Sequence, residues 1–101
     1  MDQVLEGKAA LVTGAGRGIG SQIALTLAEC GADVILNYRG SKEAAEETAE
    51  RIRTFGREVL ICPCDVSDSE AVKLMIVSGC QRFGKIDILV NIAGITRDNL
   101  F

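Results

Sequence analysis

The strongest constraint on the fold of this chain is a cluster of glycines that follows its first apolar run. The cluster reads Thr13-Gly14-Ala15-Gly16-Arg17-Gly18-Ile19-Gly20. The run before it, Lys8–Val12, is short and apolar as in a buried strand, and Ile23 and Leu27 continue after it at helical spacing. A loop that opens a helix presents free N–H groups, and the helix dipole there favours negative charge. Because glycine lets the backbone turn sharply and approach a ligand closely, the cluster predicts a phosphate-binding turn.

Three further runs have the length and composition of strands. They are Asp33–Tyr38, Glu58–Cys62 and Ile86–Val90. Pro63 is expected to end the second of them because proline lacks the N–H that a strand ladder needs. Single helical segments separate the runs, and this alternation implies right-handed crossovers and a parallel sheet covered on both faces. We therefore expect a Rossmann-like, doubly wound α/β sheet of strand order 3-2-1-4, truncated after its fourth strand.

Local signals predict where the helices begin and end. Gly31 stands where the first helix needs a left-handed cap, and Ser41 is a candidate N-cap for the second. The segment Ser67-Asp68-Ser69-Glu70 has the spacing of a capping box for the third helix. Gly79 destabilises that helix by about 1 kcal/mol relative to alanine, so the sequence does not define the residue at which the helix ends.

Composition excludes several classes of function. The 101 residues carry a net charge of −3 and no histidine, and no basic patch is interleaved with aromatic residues, which disfavours nucleic-acid binding. No apolar stretch approaches the roughly 20 residues of a membrane span. Cys30, Cys62, Cys64 and Cys80 lack the spacing of a zinc site, so we interpret them as reduced thiols and expect no metal. We expect a soluble, cytoplasmic protein.

The glycine spacing resembles that of one enzyme family. The common G-x-G-x-x-G pattern fails at Ile19, whereas Thr13 followed by Gly14-x-x-x-Gly18-x-Gly20 is similar to the T-G-x-x-x-G-I-G fingerprint of the short-chain dehydrogenase/reductase family. The resemblance implies an oxidoreductase that binds a nicotinamide dinucleotide along the loop. The residues that it assigns to the cofactor there are Gly14, Ala15, Gly16, Arg17, Gly18, Ile19 and Gly20. The alternative is a glycine-rich turn that binds nothing.

The end of the second predicted strand indicates which dinucleotide is bound. In NAD-binding folds an acidic residue at this point binds the ribose hydroxyls, but Asp33 begins the strand and lies at the wrong end of the sheet. The strand ends instead in Asn37-Tyr38-Arg39. Arg39 offers a fork of donors to a 2′-phosphate, and Arg17 adds a second positive charge. We therefore predict NADP(H), with Asn37 and Arg39 in its site; the alternative is two solvated arginines.

Two later segments extend the resemblance. In the family, an aspartate after the third strand accepts from the adenine amino group and the next N–H reaches the ring, which implies these roles for Asp65 and Val66. The alternative is that Asp65 only starts the turn into the third helix. After the fourth strand, Asn91-Ile92-Ala93-Gly94 resembles the family's N-N-A-G, with a departure at Ile92. The resemblance places Asn91 near the cofactor ribose, and Ala93 and Gly94 beside the nicotinamide half.

The last residues narrow the resemblance to one branch. The stretch 93–100, A-G-I-T-R-D-N-L, is similar to bacterial 3-oxoacyl-acyl-carrier-protein reductases. That branch implies NADPH-dependent reduction of a 3-oxoacyl thioester on an acyl carrier protein in fatty-acid synthesis, by a homotetramer. Another NADP-dependent ketoreductase and a non-catalytic dinucleotide-binding module remain as alternatives.

No catalytic residue is assigned. The family donates its proton from the tyrosine of a Y-x-x-x-K motif, assisted by a serine, and residues 1–101 contain no such motif. The one tyrosine, Tyr38, is expected at the adenosine end. We therefore expect 1–101 to be the incomplete N-terminal part of one dinucleotide-binding domain, inactive on its own.

Overall fold

The computed structural model describes residues 3–95, which alternate strands and helices as the sequence predicts. The elements are β1 (Ala9–Thr13), α1 (Gly18–Glu29), β2 (Asp33–Tyr38), α2 (Lys42–Thr54), β3 (Val59–Pro63), α3 (Ser69–Phe83), β4 (Ile88–Asn91) and α4 (Ile92–Ile95). β2 has its predicted bounds, while β1 and β3 each begin and end one residue later than predicted. β4 begins two residues later than predicted and includes Asn91, so the expectation that Asn91 follows the fourth strand was wrong.

The strands form one parallel sheet in the order β3-β2-β1-β4, which confirms the predicted Rossmann-like topology. Leu11 of β1 lies opposite Ile35 of β2 on one side and Leu89 of β4 on the other. Pro63 was expected to follow β3 but is its last residue, paired with Tyr38. Proline is tolerated there because β3 is an edge strand of the described sheet.

Helices cover both faces of the sheet. Val34 and Leu36 of β2 pack with α1 and α2, whereas Ile35 faces α3 and packs with Met75. On the first face the two helices present mostly alanines, which let them lie close to the strands: Ala24, Ala28, Ala45 and Ala49. On the second face Gly79 plays the same part, because a Cβ at that position would lie 2.3 Å from Cδ1 of Ile35. The glycine that weakens α3 as a helix thus permits its contact with the sheet.

The helix ends follow the local signals with one exception. Gly31 has the positive φ of +111° expected of it, and the Ser41 hydroxyl accepts from the N–H of Ala44 at 3.1 Å. The capping box predicted from Ser67 was wrong. The N-cap of α3 is Asp68, whose carboxylate accepts from the N–H groups of Glu70 and Ala71, while the Ser67 hydroxyl donates to Asp65.

A buried asparagine ties the carboxyl ends of the strands together. Asn37 is 1% exposed, and its Oδ1 accepts from the N–H of Gly14 at 3.1 Å. Its Nδ2 donates to the carbonyl oxygens of Cys62 and Cys64, both at 3.1 Å. Its own carbonyl accepts from the N–H of Ala15 at 2.7 Å. The β1–α1 loop, the end of β2 and the end of β3 are therefore held in one hydrogen-bond network.

The outer edge of β4 is open within residues 3–95, and large apolar side chains are exposed on β4 and on α3. β4 pairs with β1 and, within residues 3–95, with no other strand. Leu89 on β4 is 65% exposed, and Leu74 on α3 is 66% exposed. No helix among these residues is long and apolar enough to cross a membrane.

The Asn37 network predicts that an isosteric charged residue at position 37 strongly lowers the stability of the fold. In the Asn37→Asp variant the carboxylate has no donor for the carbonyls of Cys62 and Cys64, so the free energy of unfolding should fall by about 2–4 kcal/mol at neutral pH. Burial raises the pKa of the new carboxyl in the folded state. The folded variant therefore binds more protons than the unfolded one, and its deficit should grow as pH rises above about 4.

Urea denaturation at several pH values measures this deficit, with Gln22→Glu as the control. Gln22 is exposed on α1, so the same added charge should change stability by under about 0.5 kcal/mol there. Equal effects of the two substitutions would contradict a structural role for the Asn37 network.

Candidate functional site

The candidate site lies at the carboxyl edge of the sheet, between β1 and β4. β1 has β2 on one side and β4 on the other, so the winding of the chain reverses at β1. In open parallel sheets ligands bind in the crevice outside the carboxyl ends of the strands at such a switch point. The glycine loop leaves β1 at this point and opens α1 at Gly18.

At two positions of the loop the structure explains why the residue is glycine. Gly18 has a φ of +69°, a conformation that other L residues rarely adopt. Gly20 lies where the first turn of α1 packs on the loop, and a Cβ there would be 2.0 Å from the carbonyl oxygen of Gly14. The backbone of the loop therefore folds directly against the helix that it opens.

The amino end of α1 lacks the side-chain cap that α2 and α3 have. Arg17 occupies its N-cap position in extended conformation and makes no capping hydrogen bond, and the first turn contains no acidic residue. Ser41 and Asp68 cap the other two helices. The first N–H groups of a helix need an acceptor, and an anion is favoured there by the dipole. The first turn of α1 is thus suited to an anionic ligand.

A pocket of about 200 Å³ gathers residues that are distant in the sequence. It is lined by Gly14, Asn37, Arg39, Cys64, Asp65, Val66 and Ala93. All of these except Cys64 are predicted cofactor-binding residues, and they come from the ends of all four strands. Although Asn37 lines this pocket, its side-chain amide is already bound to Gly14, Cys62 and Cys64, so here it acts as a support for the pocket wall.

A smaller cavity of about 80 Å³ adjoins the first through Gly14 and Arg39. It is also lined by Gly16, Arg17, Tyr38 and Ser41. The two arginines that the sequence analysis assigns to a 2′-phosphate therefore line one cavity. Ile19, in the first turn of α1, is 69% exposed and offers an apolar surface there.

Asp65 is engaged on both carboxylate oxygens. Its Oδ2 lies 3.2 Å from Nη1 of Arg39, and its Oδ1 accepts from the N–H and the hydroxyl of Ser67 at 2.9 and 2.8 Å. The turn toward α3, which was the alternative role of Asp65, is present in this structure. The adenine contact of Asp65 and Val66 stays a prediction.

The β1–β4 side of the site is held by a threonine that the sequence analysis treated only as part of the motif. The Thr13 hydroxyl donates to Oδ1 of Asn91 at 2.8 Å and accepts from the N–H of Ala93 at 3.2 Å. Ile92, the departure from the family pattern, is 9% exposed and therefore fits as a core residue. Gly94 follows within the short helix α4.

A second polar contact that sequence reasoning missed joins α2 to the glycine loop. The Thr48 hydroxyl is 2.9 Å from that of Ser21 and 3.3 Å from the carbonyl oxygen of Gly16. Thr48 falls on the buried stripe of α2 together with Ala45, Ala49 and Ile52. No motif marks this residue, because the contact depends on how α1 and α2 pack together.

The thiols have no arrangement typical of a metal site. Burial raises the pKa of the Cys64 thiol, and the carboxylates of Asp68 and Asp65 raise it further. Burial likewise raises the pKa of Cys62, with a smaller contribution from Cys64. Both are therefore protonated at neutral pH. Across residues 3–95 no group of three metal-ligating side chains is found, and the four cysteines form no disulfide with one another.

Known proteins resemble this chain in sequence and in structure. A 3-oxoacyl-acyl-carrier-protein reductase of Staphylococcus aureus is 54% identical over 93 residues, which are 92% of this chain and 38% of the relative. Versicolorin reductase 1 of Aspergillus parasiticus is 47% identical over 91 residues, which are 90% of this chain and 35% of the relative. The chain thus spans little more than a third of the length of these relatives.

A crystal structure of a short chain dehydrogenase from Burkholderia cenocepacia in complex with NADP superposes with a TM-score of 0.83 at 44% identity. The superposition covers 86% of this chain and 36% of that one. The family model for short chain dehydrogenases matches residues 8–101, nearly the whole sequence. The chain therefore belongs to the short chain dehydrogenase family.

Proposed function

We propose that this chain binds NADPH through the glycine loop and the two cavities beside it. The observation that carries the proposal is the uncapped amino end of α1, which opens next to a pocket lined by the ends of four strands. A diphosphate is the acceptor that such a helix start suits. The NADP complex of the similar Burkholderia protein supports the assignment.

The residues present fit such a cofactor. A Cβ at Gly16 would lie 3.1 Å from Cβ of Tyr38, so this glycine keeps the loop close to the strand end where the smaller cavity lies. Arg17 and Arg39 supply planar donor forks for a phosphate, and Asp65 supplies an acceptor for an amino group. On the other side of β1, Thr13 holds Asn91 and Ala93 in place.

When bound, the cofactor supplies a hydride to a carbonyl carbon. The residues of this chain hold and orient it: the first turn of α1 at the diphosphate, Arg17 and Arg39 at the 2′-phosphate, and Asp65 and Val66 at the adenine. Asn91, Ala93 and Gly94 flank the nicotinamide half. Ile19 provides an apolar contact.

We further propose that the protein reduces a 3-oxoacyl thioester on an acyl carrier protein to the 3-hydroxyacyl form. The relative from Staphylococcus aureus and the 93–100 stretch support this substrate, although residues 96–100 lie outside the described part of the chain. With this substrate we also propose that the protein is a cytoplasmic homotetramer that acts in fatty-acid synthesis. The 47% identity to versicolorin reductase 1 favours a second candidate, reduction of another ketone by the same cofactor.

In this proposal the described residues bind the cofactor, and none of them is assigned as the proton donor. Tyr38 is 8% exposed and packs in the core between the sheet and the helices α1 and α2. It is therefore unsuited to protonate a substrate. We propose that the donor belongs to the part of the longer relatives that this chain does not span.

Replacing Arg39 tests the choice of cofactor. Arg39→Gln should weaken NADPH binding about tenfold, which corresponds to the lower end of the free energy of a hydrogen bond to a charged group. NADH binding should change by less than about twofold, because NADH has no 2′-phosphate. Quenching or enhancement of nicotinamide fluorescence on titration measures both dissociation constants. Arg53→Gln, an equal charge change on the outer face of α2, should affect neither. Equal weakening of both dinucleotides by Arg39→Gln would contradict a 2′-phosphate contact.

Replacing Gly20 tests the loop itself. The methyl group of Gly20→Ala would meet the Gly14 carbonyl, so the loop must move away from α1. We expect at least a tenfold loss of affinity for NADPH and NADH alike and a fall of about 2 kcal/mol in the free energy of unfolding.

Gln22→Ala, two residues later on the exposed side of α1, is the control and should preserve both affinities. Unchanged dinucleotide binding by a folded Gly20→Ala protein would remove the loop from the proposed site.

Turnover tests the assigned reaction. Residues 1–101 alone should not oxidise NADPH in the presence of acetoacetyl-acyl-carrier protein, because their sequence contains no Y-x-x-x-K motif to donate the proton. If the coding sequence continues past Phe101, it should contain a serine and Y-x-x-x-K in frame, and that longer protein should turn over. Turnover by 1–101 alone would contradict the assignment of the proton donor to the part of the relatives that this chain does not span.

A further inference from the structure

Two residues assigned above to different groups of the cofactor, Arg39 to the 2′-phosphate and Asp65 to the adenine, bind each other in this structure. Nη1 of Arg39 lies 3.2 Å from Oδ2 of Asp65, and both side chains line the pocket of about 200 Å³. A carboxylate thus partly neutralises the guanidinium that the proposed function gives to the 2′-phosphate. Carboxylate and phosphate are alternative acceptors for the same fork of donors.

The two partners differ in how firmly they are held. Oδ1 of Asp65 accepts from the N–H and the hydroxyl of Ser67, and the Asp65 carbonyl accepts from the N–H of Asp68 at 2.9 Å. The carboxylate is therefore fixed by its turn. The Arg39 side chain is 65% exposed and extends on a flexible stem. When a phosphate enters, Arg39 is the partner that moves.

We propose that Asp65 limits the preference of this site for NADPH over NADH by competing with the 2′-phosphate for Arg39. This inference rests on the proposed function. NADH carries no 2′-phosphate and leaves the ion pair intact, whereas NADPH has to share or break it. Asp65 is thus a positioning residue that acts on selectivity through Arg39.

An opposite effect has to be weighed. The ion pair also orders Arg39, which would favour a phosphate, but an exposed pair gains little from such ordering. Competition for the guanidinium and direct repulsion between carboxylate and phosphate both act against NADPH. Because two effects of the same sign oppose one small effect, removal of the charge should raise the preference for NADPH.

The Asp65→Asn variant tests this directly. Asparagine keeps an oxygen that accepts from Ser67 but offers no charge to Arg39. The dissociation constants of NADPH and NADH are measured by fluorescence titration on protein shown to be folded by circular dichroism. The ratio of the two constants cancels any contact of residue 65 with the adenine, since both dinucleotides carry it. We expect the preference for NADPH to rise about threefold, the scale of a partly exposed ion pair.

Two comparisons isolate the ion pair. Asp68→Asn removes the same charge from a neighbouring residue and keeps an N-cap of similar quality, so the ratio should not change. In an Arg39→Gln background the effect of Asp65→Asn should fall to less than half of its size, because the competition is gone.

A ratio that falls or stays constant in Asp65→Asn overturns the inference. An equal rise with and without Arg39 also overturns it, because Asp65 would then act as a plain charge. If the folded wild-type protein binds neither dinucleotide, the proposed function fails and this inference fails with it. Binding of both dinucleotides without the expected change in ratio leaves the proposed function intact and removes only the role of Asp65.

Discussion

The contact between the glycine loop and the start of α1 is the constraint on which the rest of the site depends. The Gly14 carbonyl lies so close to Gly20 that no side chain fits between them. This contact holds the loop against the first turn of the helix, whose N–H groups have no side-chain cap. The other features of the site stabilise this arrangement from neighbouring elements.

That stabilisation comes from short polar side chains in the core. Asn37 joins the loop to the ends of β2 and β3, and Thr48 reaches the loop from α2. Thr13 joins the end of β1 to β4 and α4. A buried polar group is costly unless its hydrogen bonds are made, so each of these side chains also fixes the position of its partners. Buried hydrogen bonds therefore hold the wall of the pocket, whereas the charged side chain of Arg39 that also lines it is 65% exposed.

The sequence was sufficient for the parts of the fold that depend on local rules. The alternation of apolar runs and helical stripes predicted the topology, and Gly31 and Ser41 marked helix ends correctly. Errors arose where two neighbouring residues compete for one role, as when Asp68 rather than Ser67 caps α3. The observed strand ends also differ from the predicted ones by one or two residues, because pairing with the neighbouring strands determines where a strand begins and ends.

The site was predictable as a set of residues but not as a set of contacts. The loop motif and the strand ends named most of the residues that line the two cavities, but not Cys64, Tyr38 or Ser41. Parallel strands bring their carboxyl ends to one edge, which is why these residues meet. The roles of Thr48 and Ser21, and the ion pair of Arg39 with Asp65, depend on the packing of separate elements and leave no pattern in the sequence.

Amide chemical shifts in a titration with NADPH test the central claim most directly. If a diphosphate binds at the start of α1, the N–H resonances of residues 16–19 should show the largest saturable shifts, together with those of Arg39 and Val66. The N–H resonances of Gly14 and Ala15, already bound to Asn37, should shift less. Saturable binding that leaves the amides of residues 16–19 unchanged would contradict the account.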